Sequence, residues 1–155
     1  MLRSLAALCA ALLCAATAPV GAKTGGTDGP DDRPAAAGRA LFDGRAPLKG
    51  RIATHVNDLP PEVVVCANCH AAPLGPEVRQ SLAPRLDRAR LLDPVARRGG
   101  PPTRYDAAAF CRLLRTGVDP ARIVNNLEMP RYDVDERQCA ALWTYLTSER
   151  GTDAR

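Results

Sequence analysis

The stretch Cys66-Ala67-Asn68-Cys69-His70 decides how this 155-residue chain is interpreted. Two thiols separated by two residues and followed at once by histidine form the attachment signature of c-type haem. Within one helical turn the two sulfurs can reach the vinyl groups at one edge of the porphyrin, and the imidazole of His70 can lie below the iron as its proximal ligand. We therefore expect one covalently attached haem c at Cys66, Cys69 and His70.

Three other interpretations of this motif are weaker. A zinc site needs two further ligands close by, and the chain has no second Cys or His pair at a suitable spacing. A thioredoxin-like dithiol would lie in a βαβ unit, for which the surrounding residues give no signal. Coincidence is disfavoured because the whole chain contains only two histidines.

The second axial position has two candidate ligands. Met129 is the only methionine besides Met1, and it precedes Pro130. A residue before proline avoids the α region, so Met129 is expected in an extended stretch that can present its thioether to a planar cofactor. A core-filling methionine is the alternative for Met129. His55 is the rival ligand, and it would give a bis-histidine haem of lower reduction potential.

The first residues predict export. A short basic start is followed by an apolar run and then by small residues near Ala22, which is the pattern of a secretory signal peptide over residues 1–22. The apolar run is too short for a membrane span, although an uncleaved anchor is the alternative. A flexible leader is expected over residues 23–34, a monohaem domain over 35–150 and a disordered tail over 151–155.

Helical signals dominate the mature chain. Helices are predicted over residues 35–42 with Asp32 as the cap, in a short turn at 64–70, over 105–116 with Gly117 as the stop, and over 133–149 with Asp133 and Glu136 in capping-box spacing. Prolines exclude a long helix across residues 71–104. No strand pattern emerges, so the predicted fold class is all-α, with long irregular loops around a buried haem.

Four sequence features occur in the order found in one known family. A helix carries Gly38 and Phe42, the haem motif follows, Ala83-Pro84-Arg85-Leu86 is similar to a Gly-Pro-x-Leu segment, and Met129-Pro130 precedes an aromatic-bearing last helix. Over residues 35–148 the chain therefore resembles the class I cytochrome c family.

The resemblance implies a particular arrangement of these residues. The carbonyl of Pro84 would accept the proton of His70, and Met129 would be the second axial ligand. Gly38 would allow the first helix to cross closely the last helix, which carries Trp143 and Tyr145. Residues 45–65 are longer than the usual link and form an elaboration of the family pattern.

The two remaining cysteines, Cys111 and Cys139, are expected to form a disulfide because export delivers them to an oxidising compartment. Two buried free thiols are the alternative. Seven arginines against three acids between residues 77 and 104 either face the haem propionates and an acidic redox partner, or form a solvated face. The formal charge of +4 and an aromatic content of 4% give no support to nucleic-acid binding.

These observations predict a periplasmic electron-transfer protein that is not an enzyme and has no membrane span after signal cleavage. Its partners would be redox proteins such as a periplasmic dehydrogenase or oxidase. Two alternatives stay open: a cytochrome subunit of such a complex, and a haem enzyme or gas sensor with a labile sixth ligand.

Overall fold

Residues 32–71 and 83–148 are the part of the chain described by this computed structural model. They form five helices and four two-residue strands: α1 Asp32–Phe42, β1 Gly50–Arg51, α2 Cys66–His70, α3 Arg88–Leu92, β2 Val95–Ala96, β3 Pro102–Thr103, α4 Ala107–Thr116, β4 Arg131–Tyr132 and α5 Glu136–Thr147. The predicted signal peptide, most of the leader and the predicted tail lie outside the described residues.

The all-α prediction is wrong. β1 pairs with β4 in antiparallel register, with Gly50 opposite Tyr132, and β2 pairs with β3, with Val95 opposite Thr103. The fold is therefore mixed, with helices and two small antiparallel sheets. No strand signal is present in the sequence because two residues are too few to show the alternation of apolar and polar side chains that identifies a strand.

Close contact between α1 and α5 organises the helices. A Cβ atom at Gly38 would overlap the backbone carbonyl of Ala141, so only glycine allows this approach. The rings of Phe42 and Tyr145 lie 5.6 Å apart beside the crossing. The close crossing implied by the family resemblance is therefore present. Trp143, on the same helix, instead packs its ring 5.6 Å from that of Phe110 on α4.

A disulfide joins α4 to α5, as predicted. The Cα atoms of Cys111 and Cys139 are 5.8 Å apart, and the Cys139 side chain is fully buried. The helix that carries Cys111 is capped by Asp106, which accepts a hydrogen bond from the Ala109 amide at 2.7 Å. It ends at Gly117, whose φ of 74° is the left-handed conformation expected of a glycine stop.

The start of α5 differs from the prediction. The capping box is formed by Asp135 and Gln138, two residues later than the predicted pair that begins at Asp133. Both pairs have the required spacing, but the Asp133 amide donates to the Lys49 carbonyl at 3.0 Å and so extends the pairing of β1 with β4. The strand contact therefore decides which aspartate caps the helix.

A five-residue helix also interrupts the proline- and arginine-rich stretch. α3 begins after Asp87, whose side chain accepts from the Arg90 amide at 2.8 Å, and it ends before Pro94. Its brevity agrees with the prediction that prolines exclude a long helix here. The neighbouring strands β2 and β3 form a hairpin, where the sequence predicts an irregular loop.

Candidate haem-binding site

The predicted haem motif forms α2, a single helical turn. Helical spacing of three residues places Cys66 and Cys69 on the same side of this turn. Cys66 is buried, Cys69 is exposed, and both are free thiols. Neither sulfur is bonded in a disulfide, and His70 is the residue that ends the turn.

The environment of Cys66 does not favour a reactive dithiol. Burial raises the pKa of the Cys66 thiol to about 11. Its sulfur lies 3.9 Å from the hydroxyl of Tyr132, which itself donates to the Val64 carbonyl at 3.1 Å. Redox-active dithiols have a lowered thiol pKa and an electropositive surround. The pKa of Cys66 is raised by burial, which argues against the thioredoxin-like interpretation of the motif.

His70 is held in a form that can bind a metal. Its Nδ1 lies 2.7 Å from the Pro84 carbonyl oxygen, the contact that the family resemblance implies. Since a carbonyl only accepts, Nδ1 carries the proton and Nε2 keeps its lone pair. Burial lowers the pKa of His70 despite this carbonyl, so the ring is neutral near pH 7. A second partner that orients the ring in this way is typical of metal-binding histidines.

Met129 lies at the end of a turn immediately before β4. Its amide donates to the Asn126 carbonyl at 3.2 Å, which closes the turn, and β4 begins two residues later at Arg131. The side chain of Met129 is half-buried, and its sulfur accepts a hydrogen bond from the side-chain amide nitrogen of Asn125 at 3.0 Å. The carbonyl of Met129 accepts from the Arg131 guanidinium at 2.7 Å.

The strand pairing brings the Met129 segment to the haem motif. Tyr132 is three residues after Met129, and it contacts both the Cys66 sulfur and the Val64 carbonyl at the start of α2. The pairing of Gly50 with Tyr132 anchors the same segment to the connector that leads into α2. Residues 63 positions apart, Cys66 and Met129, are thus carried by neighbouring segments. His55 lies in this connector, with its side chain exposed.

The described donors suit haem c better than a bare metal ion. They comprise one neutral imidazole nitrogen, one thioether sulfur and two free thiols. Within residues 32–71 and 83–148, no three His, Cys, Asp or Glu side chains cluster as a metal site. A structural zinc ion takes four such ligands. The donor set therefore fits a macrocycle that supplies its own four equatorial nitrogens and needs only axial ligands and attachment points.

A cleft of about 470 Å³ lies beside α2, between the end of α1 and residues 61–68. Leu41, Leu48, Val65 and Asn68 contribute to its lining, whereas Cys66, Cys69, His70 and Met129 do not. A haem assignment therefore depends on the donor residues and not on this cleft.

Three arginines of the basic stretch, Arg88, Arg97 and Arg98, contact the protein itself. Arg97 donates to the Val95 carbonyl at 3.0 Å and stacks 4.8 Å from the Tyr105 ring centroid. Arg88 donates to the Thr147 carbonyl, and Arg98 donates to the Asn125 side chain at 2.9 Å. These cations cross-link α3, the β2–β3 hairpin, α5 and the Met129 loop. Arg79 of the same stretch lies outside the described residues.

Two site residues had weak or no signal in the sequence. Nothing in the sequence predicts that Asn125 acts at the site. It does lie four residues before Met129, and its side chain can donate a hydrogen bond to sulfur. Arg131 is buried and donates to the carbonyls of Met129 and Asn125, a role that its position in the sequence does not indicate.

Comparison of the chain with protein-family models, with curated proteins and with solved structures finds no match. None of the helices within the described ranges has the length and apolar character needed to cross a bilayer.

Proposed function

We propose that this protein is an exported, periplasmic electron carrier with one haem c. Cys66 and Cys69 hold the haem through thioether bonds, and His70 and Met129 are its axial ligands. When bound, the haem supplies an iron that cycles between the ferrous and ferric states. The protein buries the cofactor, sets its potential and presents it to redox proteins such as a periplasmic dehydrogenase or oxidase.

One observation carries this proposal. Immediately after two free thiols, a neutral histidine donates Nδ1–H to the Pro84 carbonyl and keeps Nε2 available. The Met129 sulfur, on a segment that contacts Cys66 through Tyr132, supplies the donor for the opposite position. With both axial positions held by side chains, iron has no site for a substrate, which favours electron transfer over catalysis.

The first experiment is the visible spectrum of the reduced, periplasm-expressed protein before and after addition of carbon monoxide. We expect a covalent haem c spectrum that carbon monoxide does not change, because both axial positions are occupied. Rapid carbon monoxide binding by the unmodified protein would overturn the electron-carrier proposal in favour of a haem enzyme or gas sensor. Purification without covalent haem would overturn the haem assignment itself.

A matched pair of variants identifies the sixth ligand. We expect Met129→Ala to open the iron to carbon monoxide while His55→Ala keeps the original spectrum, because His55 is an exposed side chain. The reverse result would assign His55 as the ligand. Stable co-purification with a dehydrogenase or oxidase, tested on the same material, would identify the protein as a subunit of a complex.

A further inference from the structure

The side chain of Asn125 donates a hydrogen bond to the sulfur of Met129. The side-chain amide nitrogen of Asn125 lies 3.0 Å from Sδ of Met129, and both side chains are half-buried. A thioether sulfur is a weak acceptor, so a side-chain amide satisfies itself on sulfur only where the surrounding structure directs it there. The geometry therefore singles out Asn125 among the neighbours of Met129.

Arg98 fixes which end of the Asn125 amide faces the sulfur. Its Nε donates to the Asn125 side-chain oxygen at 2.9 Å, which leaves the NH₂ group to point towards Met129. The backbone of Asn125 is also held by two hydrogen bonds. Its backbone N–H donates to the Gly117 carbonyl at 2.7 Å, and its backbone carbonyl accepts from Arg131 at 3.4 Å. Asn125 is thus oriented by contacts that do not depend on Met129.

The turn that carries Arg98 has an unusual backbone. Arg98 and Gly99 have φ values of 50° and 75°, and the Gly100 amide donates to the Arg97 carbonyl at 2.8 Å to close the turn. Left-handed backbone is costly for a long side chain, and glycine is the usual residue there. The arginine at this point donates from its guanidinium to Asn125, and it is this contact that distinguishes Arg98 from Arg122, which also has a positive φ.

We propose that Asn125, oriented by Arg98, positions the Met129 sulfur and weakens its donation to the haem iron. The inference rests on the proposed function, in which Met129 is the axial ligand. A thioether sulfur has two lone pairs, so one can bind iron while the other accepts the amide proton. The hydrogen bond withdraws electron density from sulfur, and ferric iron loses more stabilisation than ferrous iron. Asn125 therefore raises the reduction potential, and it holds the sulfur against dissociation.

The test compares two adjacent asparagines. Asn125→Leu removes the donor to sulfur and keeps the branched shape of the side chain, and Asn126→Leu is the control because it makes the same change at a side chain that bonds instead to Glu128. In Asn125→Leu we expect a lower midpoint potential because the sulfur donates more strongly to ferric iron. We also expect about tenfold faster carbon monoxide binding because the sulfur is no longer held in position, and this loss of positioning outweighs the stronger donation. Covalent haem should be retained. Asn126→Leu should match the unmodified protein in both measurements.

A second pair separates orientation from charge and covers the case in which Asn125→Leu does not accumulate. Glycine is well suited to the positive φ at position 98. Arg98→Gly leaves Asn125 in place but removes the hydrogen bond that orients its side-chain amide. Arg122→Gly removes the same charge from another exposed arginine with a φ of 65°. We expect Arg98→Gly to lower the potential more than Arg122→Gly does. Equal shifts in the two variants would show that charge alone acts and would overturn the role of Arg98 as orienting group.

Met129→Ala distinguishes failure of the proposed role of Asn125 from failure of the assignment of Met129 as axial ligand. If it changes the potential and the ferric sulfur-to-iron charge-transfer band while Asn125→Leu leaves the potential unaltered, the Asn125 inference is wrong and the axial assignment stands. If Met129→Ala alters neither property, Met129 is not the ligand, and the inference fails together with that assignment.

Discussion

The helical core and the ligand segments of this protein are buried in different ways. We use helical core for α1, α4 and α5, and ligand segments for residues 44–71 and 117–132. In the helical core, apolar side chains pack against one another, a glycine allows close crossing and a disulfide links two helices. In the ligand segments Cys69 is exposed, and His70 and Met129 are only half-buried. Val64 and Tyr132 of the ligand segments join the same buried cluster as the helical core, whereas the three exposed or half-buried side chains have faces that a cofactor is proposed to cover.

The α1–α5 crossing offers the most severe way to break the core. We expect Gly38→Val to abolish cooperative folding, or to lower the free energy of unfolding by at least about 4 kcal/mol, because the new side chain overlaps the Ala141 backbone. Urea unfolding followed by circular dichroism measures this effect. Ala37→Val, at an exposed position of the same helix, should cost only about 0.5 kcal/mol. Similar losses in both variants would show that the crossing is not the cause.

The disulfide should contribute the next largest effect. Replacing both Cys111 and Cys139 by alanine opens a link between residues 28 apart, and we expect the free energy of unfolding to fall by about 3 kcal/mol. Urea unfolding of the unmodified protein with and without reductant is the matched measurement. If the double variant and the unmodified protein unfold at the same urea concentration under oxidising conditions, the bond does not stabilise the core.

A smaller effect is expected within the ligand segments, at Asp119. Its side chain is buried, and one carboxylate oxygen accepts from the Ile123 amide at 2.8 Å, which shapes the loop that leads to Met129. Asp119→Ala should lower the free energy of unfolding by about 1–2 kcal/mol because the Ile123 amide loses its acceptor.

Asp119→Asn is the matched control for that loop. It keeps the acceptor oxygen, and it removes a buried carboxylate whose second oxygen has no hydrogen-bond partner among the described residues. We therefore expect its stability, measured by the same urea unfolding, to be close to that of the unmodified protein. A loss as large as that of Asp119→Ala would mean that the negative charge, and not the hydrogen bond to Ile123, holds the loop.

The helical core could be predicted from the sequence because its signals are local. Gly117 marks the end of α4, and helical periodicity places Cys139, Leu142 and Leu146 on one buried face of α5. The pairing of Cys111 with Cys139 followed from the compartment and not from geometry. The start of α5 was misplaced because two aspartates fit the same rule, and a backbone contact from distant Lys49 decides between them.

The ligand segments were harder to predict. Residue type and order alone predict Cys66, Cys69, His70 and Met129 as haem-binding residues, without any information on geometry. The strands were missed because each has two residues and is defined by a partner far along the chain. The hydrogen bond from Asn125 to Met129 depends on a turn whose shape is set by Gly117, Arg98 and Arg131, so no local pattern indicates it.

The crossing of the first and last helices also constrains the timing of folding. Gly38 of α1 meets Ala141 of α5, 103 residues later, so this face cannot be buried before both helices are present. Until both are present the contacting faces of α1 and α5 are uncovered, so the helical core forms only by an encounter of distant parts of the chain.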